Sequence, residues 1–225
     1  MTMPTRFSQV GERERPDHWY LVSTDPCYYW GEYTPSQYID GPMWNFSPTN
    51  QLITNLKKPL DRRGRADWRY KQEAIQQVAA AFAVMWQWQQ MQIHRPALIP
   101  IPPSKQRTDA MYDDRMLQVL NELAMRTGVP LDIRDCLSHS GNLPASHGTD
   151  DRPTPDALYA DLAIDMQIIR PQQQPGGILL FDDMLTTGAH FVAARRRLHD
   201  VFPGIGVAGV FIARRCLPNP FSNFN

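Results

Sequence analysis

The sequence predicts an α/β fold, a parallel sheet flanked by helices with a small β-rich N-terminal appendage, and three observations carry this. The runs Ile178–Phe181 and Gly206–Arg214 are continuously apolar at their centres rather than alternating, as strands covered on both faces are. Apolar residues recur at helical spacing at Ile75, Val78, Ala79, Phe82 and Trp86, at Met116, Leu120, Leu123 and Ala124, and at Phe191, Ala194 and Leu198. Strand and helix patterns alternate along the chain, which favours parallel crossovers.

Composition narrows the class. At 225 residues the chain is long enough for one domain with a real core. Lys plus Arg equals Asp plus Glu at 23 each, so the overall charge gives no support to nucleic-acid or anionic-membrane binding. Cys27, Cys136 and Cys216 are far apart and lack zinc-ribbon or redox spacing, which fits a reducing compartment. No apolar stretch approaches the ~18 residues of a membrane span, and the polar opening lacks a signal peptide's apolar segment. A cytoplasmic protein without membrane association is expected.

Taken in order, residues 1–16 are charged and unpatterned and read as a flexible terminus. Residues 17–50 read as an aromatic appendage, with His18–Thr34 forming a β-hairpin turned at Thr24-Asp25-Pro26. Its tyrosines and Trp30 suit packing within a small sheet. The main domain spans 51–216. Lys57–Arg65 is a basic turn, placed to compensate phosphates if any bind nearby. Asp67 opens the clearest helix; Trp86 and Trp88 lie on different faces of its continuation, so one is available as a subunit contact, and a homodimer is expected. Ala97–Ser104 is the next strand candidate, although Pro100 and Pro102 argue locally for an edge or terminus. Asp113 and Asp114 favour the N-terminus of the helix that follows. Val129–Leu137 contains a second short strand. Residues 138–156 form a long polar loop in which His139 and His147, eight apart, make a poor metal pair. Leu158, Leu162 and Ile164 mark a short returning element, Arg195–Arg197 suit the end of a helix, and 217–225 is a proline-broken tail.

Gly176–His190 is the most informative stretch. Its apolar strand meets Asp182 and Asp183, then Thr186, Thr187 and Gly188 lead into a helix expected to start near Thr187 with a threonine N-cap. A turn feeding a helix N-terminus presents unpaired N–H groups, and these with the helix dipole bind phosphate. Met184 and Leu185 exclude a DxD motif, and no Gly-Lys-Ser/Thr run exists for a Walker A loop.

This stretch resembles the 5-phosphoribosyl 1-pyrophosphate (PRPP) signature of the type I phosphoribosyltransferases: four apolar residues, two acids, two variable residues, then Thr-Thr-Gly. Leu98–Pro103, preceded by Leu56-Lys57, is similar to the Val-Pro-Val-Pro region of ComF-type members, but their four-cysteine zinc element is missing. The resemblance implies a phosphoribosyltransferase-like fold and transfer of the 5-phosphoribosyl group to a nucleobase-like or other nitrogen acceptor, with release of pyrophosphate. It assigns Asp182 and Asp183 to the ribose hydroxyls, Met184, Leu185, Thr186, Thr187 and Gly188 to the 5-phosphate, and Ser104, Lys105 and Arg107 to the pyrophosphate. Arg115 would supply a cation to the leaving group. Mg²⁺ is expected on substrate oxygens, reaching Asp182 and Asp183 through ribose or water. The alternative is a regulatory or competence-type accessory protein that binds PRPP or a nucleotide without turnover.

Overall fold

The structure, a computed structural model, describes residues 2–141 and 152–218. In chain order its strands and helices are β1 (Ser8–Gln9), β2 (Cys27–Tyr33), α1 (Pro48–Leu56), α2 (Arg69–Met85), α3 (Trp88–Met91), β3 (Pro96–Pro100), α4 (Arg115–Thr127), β4 (Asp132–Ile133), β5 (Leu137–His139), α5 (Pro155–Asp161), β6 (Leu162–Ile164), α6 (Met166–Ile169), β7 (Gly177–Leu185), α7 (Ala189–Val201) and β8 (Val207–Arg215). The main sheet has the order β1-β2-β8-β7-β3-β4, parallel throughout except for β1, and β5 and β6 form a separate antiparallel pair. The expected α/β class with a mostly parallel sheet is therefore present.

Both faces of the sheet are covered, which is why its central strands read as unbroken apolar runs. Ile99, Ile178, Leu180 and Phe211 pack with Phe191, Ala194 and Leu198 of α7 on one face. Leu98, Phe181, Val210 and Ile212 pack with α1, α2 and α4 on the other. The α2 stripe of Ile75, Val78, Ala79 and Phe82 is buried as its spacing predicts. A 3-10 turn at Ala66–Trp68 precedes that helix, so it begins two residues later than Asp67 alone suggests.

The prolines of β3 are accommodated by topology. Ile101 N donates to Phe181 O of β7, so by the two-residue alternation of a strand the even-numbered nitrogens face β4. Beta-4 pairs only with Ala97 and Leu98, so Pro100 stands where no ladder partner waits for an N–H.

The N-terminal third departs from expectation. His18–Thr34 is not a hairpin: Arg15–His18 is a 3-10 turn, and β2 joins the main sheet parallel to β8. Pairing with a strand at the far end of the chain lets Cys27, Tyr29 and Trp30 bury their side chains, which a two-stranded ribbon could not do. The opening residues are also engaged: Ser8 and Gln9 pair with Tyr29 and Tyr28, and Phe7 stacks edge-on against Phe82 at 4.9 Å. Trp88 is buried and donates to Phe82 O at 3.0 Å, while the half-buried Trp86 packs on Phe7 and Trp88. His147 and most of the 138–156 loop and 217–225 tail lie outside the described residues.

Phe82 is fully buried among Phe7, Trp30 and Phe181, tying α2, β2, β7 and the N-terminus together. Phe82→Ala is expected to cost about 3–5 kcal/mol in urea unfolding; a loss below about 1 kcal/mol would show that these elements do not share one core.

Candidate functional site

The two acids lie inside β7 rather than beyond its end. Asp182 pairs with Phe211, and the ladder continues through Met184–Ala213 and Leu185–Arg214. The strand delivers them to the carboxyl end of a parallel sheet, where ligands bind in open α/β folds. Met184 and Leu185, assigned by the resemblance to the 5-phosphate, are strand residues whose side chains are buried in the core. Only Thr186, Thr187 and Gly188 make the loop. Its helix starts at Ala189, capped by Gly188 at φ +89° rather than by a threonine, although Thr187 Oγ1 still accepts from Ala189 N at 3.3 Å.

Asp183 is clamped by two cations from different elements. Lys57, just past α1, reaches its Oδ1 at 2.7 Å, and Arg115, the first residue of α4, donates from Nε to its Oδ2 at 2.6 Å. Arg115 Nη1 also donates to Asp113 Oδ2 at 3.1 Å, and the fully buried Lys71 meets the same oxygen at 2.7 Å. Lys71 further donates to Leu56 O at 2.6 Å and Lys58 O at 3.1 Å, fixing the end of α1 from which Lys57 projects. The result is a chain of alternating charge, Lys57–Asp183–Arg115–Asp113–Lys71. Asp182 stands outside it, with Oδ1 accepting from Asp183 N at 2.7 Å.

The two carboxylates are driven apart in acidity. Burial and the neighbouring Asp183 charge push Asp182 up. Burial also works to raise Asp183, but Lys57 and Arg115 outweigh it and hold its carboxyl below the usual range. Adjacent acids with opposed shifts are a common mark of a functional site. Both line a cleft with Pro100–Pro103, Tyr112–Leu117 and Asp135. His190, in the first turn of α7, is pushed down to about 4 by burial and by His139, and so is neutral at pH 7.

The Thr186–Gly188 loop is held from one side. His18 Nδ1 contacts Thr186 O, and Tyr20 N donates to Thr187 O at 3.0 Å. Among the described residues the Thr187 and Gly188 amides donate to nothing.

Ser104, Lys105 and Arg107 are exposed and are not aimed at the acids. Lys105 pairs with Asp109 at 3.4 Å, and Arg107 bonds Asp135 Oδ2 at 2.6 Å at the rim of the cleft. Arg115, by contrast, lines the cleft and is bonded to Asp183 and Asp113. Lys57 is the residue the sequence reading left unassigned, although the basic stretch that contains it was the available signal. Among the described residues no cluster of three or more His, Cys, Asp or Glu could hold a metal alone. The unengaged oxygen of Asp182 does suit a Mg²⁺ that keeps waters and substrate oxygens as its other ligands. Among the described residues no helix is long and apolar enough to cross a membrane.

No protein-family model matches the chain, and the comparison with curated proteins likewise returned no match.

A raised carboxyl binds its proton more tightly folded than unfolded, so stability falls as pH rises from the ordinary carboxylate range through the elevated value. Asp182→Asn is therefore expected to stabilise the protein by about 1–2 kcal/mol at pH 8, with the gain shrinking as pH falls through the elevated value of about 7 and nearly gone at about pH 4. Urea unfolding at both pH values measures this, and a gain independent of pH would contradict the ionisation assigned to Asp182.

Proposed function

We propose that the chain is a PRPP-dependent phosphoribosyltransferase, moving the 5-phosphoribosyl group onto a nitrogen acceptor and releasing pyrophosphate. The observation that carries this reading is the Asp182–Asp183 pair, flanked by Lys57 and Arg115 and followed within five residues by a loop with two unengaged amides. The reaction needs the same parts. The acceptor nitrogen's lone pair forms a bond to C1, and the C1–O bond breaks with its electron pair going to pyrophosphate. Positive charge builds on the ribose ring and negative charge on the leaving group.

Asp183, kept ionised by its cations, suits the ribose hydroxyls and favours a cationic ring. Arg115, on the cleft wall, supplies positive charge beside a departing pyrophosphate, and Lys57 shares with it the neutralisation of Asp183. Asp182, with its raised proton affinity, suits the proton lost from the acceptor nitrogen. The Thr187 and Gly188 amides would anchor the 5-phosphate, whose binding energy can be used to orient C1. Mg²⁺, when bound, would neutralise phosphate charge, and Asp182 would hold it together with water and substrate oxygens. A small-molecule acceptor, a homodimer and a cytoplasmic setting belong to the same reading.

A second reading is a PRPP- or nucleotide-binding regulatory or competence-type accessory protein. It is favoured by the engagement of Lys105 and Arg107 in ion pairs with Asp109 and Asp135.

Pyrophosphate release from PRPP and Mg²⁺, screened over nucleobases, separates the two. One base is expected to support turnover, and the double variant Asp182→Asn, Asp183→Asn is expected to lower the rate by at least about 100-fold while remaining folded. Tight Mg²⁺-dependent PRPP binding without release from any base would replace the enzyme reading with the second one. Near-wild-type turnover in the double variant would remove the acids from catalysis.

A further inference from the structure

We infer that His18 is a positioning residue for the phosphate loop, acting through the backbone of Thr186. This rests on the phosphate-binding reading of Thr186–Gly188 above. In a planar trans peptide, the carbonyl of one residue and the N–H of the next point in opposite directions. His18 holds the Thr186 carbonyl, so the Thr187 amide faces away from His18. Tyr20 N holds the Thr187 carbonyl, so the Gly188 amide is turned the same way. Two adjacent amides are thereby presented together on the free side of the loop, the arrangement that grips an anion.

Other contacts lock this latch in place. Leu21 lies against Gly188, where an added Cβ would come within 2.8 Å of the leucine side chain. Asp17 is fixed to the end of β8: its carboxylate accepts from Arg214 at 3.3 Å and from Leu217 N at 3.2 Å, and its carbonyl accepts from Arg215 at 3.2 Å. His18 is fully buried, and its Nε2 has no partner among the described residues. A proton there would be both unsatisfied and close to Arg214 and Arg215, so the ring is neutral with its one proton on Nδ1, where it can donate to Thr186 O. The ring is thus a fixed single donor. A side chain with no donor at this place would free the Thr186 carbonyl to rotate and carry the Thr187 amide with it.

Calorimetric titration with inorganic phosphate and with ribose 5-phosphate tests the inference. His18→Leu is expected to weaken both by about 10-fold, whereas His18→Asn, whose side-chain amide can donate to the same carbonyl, recovers most of the affinity. A folded His18→Leu protein with wild-type affinity overturns the positioning role and leaves the phosphate site standing. If His18→Asn is as weak as His18→Leu, the effect is packing and the inference also falls. Absence of phosphate and ribose 5-phosphate binding in the wild type sinks the loop's assignment and the inference together. Should His18→Leu fail to fold, amide NMR of the wild type decides: phosphate must shift Thr187 and Gly188, and shifts confined to other amides overturn the proposal.

Discussion

Asp183 is a carboxylate with 3% of its surface exposed, and the surrounding elements are placed so that it stays charged. An unpaired ion at that depth costs several kcal/mol. It is compensated by Lys57 and Arg115, which come from opposite ends of two helices and reach different oxygens of the same group. Those cations constrain the rest. Arg115 needs Asp113 beside it, Asp113 needs the buried Lys71, and Lys71 holds the carbonyls that end α1. Replacing such a chain with apolar residues would often stabilise a protein. The presence of one in a cleft rather than in the core fits a functional role.

The second constraint comes from the N-terminus. Residues 17–21 pack against the loop after β7 and the end of β8, and Cys27–Tyr33 forms the strand beside β8. The aromatic segment therefore does not sit beside the sheet as an added module. It extends the sheet and backs the Thr186–Gly188 loop, which is how the first and last fifths of the chain come to share one site.

What the sequence made legible follows the range of each interaction. The α2 stripe, the buried β7 run, the acid pair and the start of α4 depend on neighbours a few residues away, so periodicity and residue order expose them, whereas Arg115 was singled out only through the resemblance. The location of β2 depends on β8, some 180 residues later, and two aromatic runs split by Asp25-Pro26 look locally like a hairpin. Lys57 was hidden for the same reason: its partner is Asp183, and nothing in a basic turn says which lysine will meet it. Met184 and Leu185 show the converse error. A motif spacing suggested a loop, whereas their apolar character, visible in the sequence, already favoured a strand that continues past the acids.

The charges at the site explain why the acids differ. Lys57, Arg115 and Lys71 face Asp183 and Asp113, so each of those two carboxylates is bracketed by two cations, whereas Asp182, among the described residues, is bonded only to the Asp183 amide. In the reaction proposed above, negative charge growing on a leaving group in the cleft would raise Asp182's affinity for a proton further, because each like charge nearby disfavours its ionised form, whereas two cations hold Asp183 ionised. One carboxylate is fixed as a charge and its neighbour is free to change. The division follows from which of the two side chains points at Lys57 and Arg115.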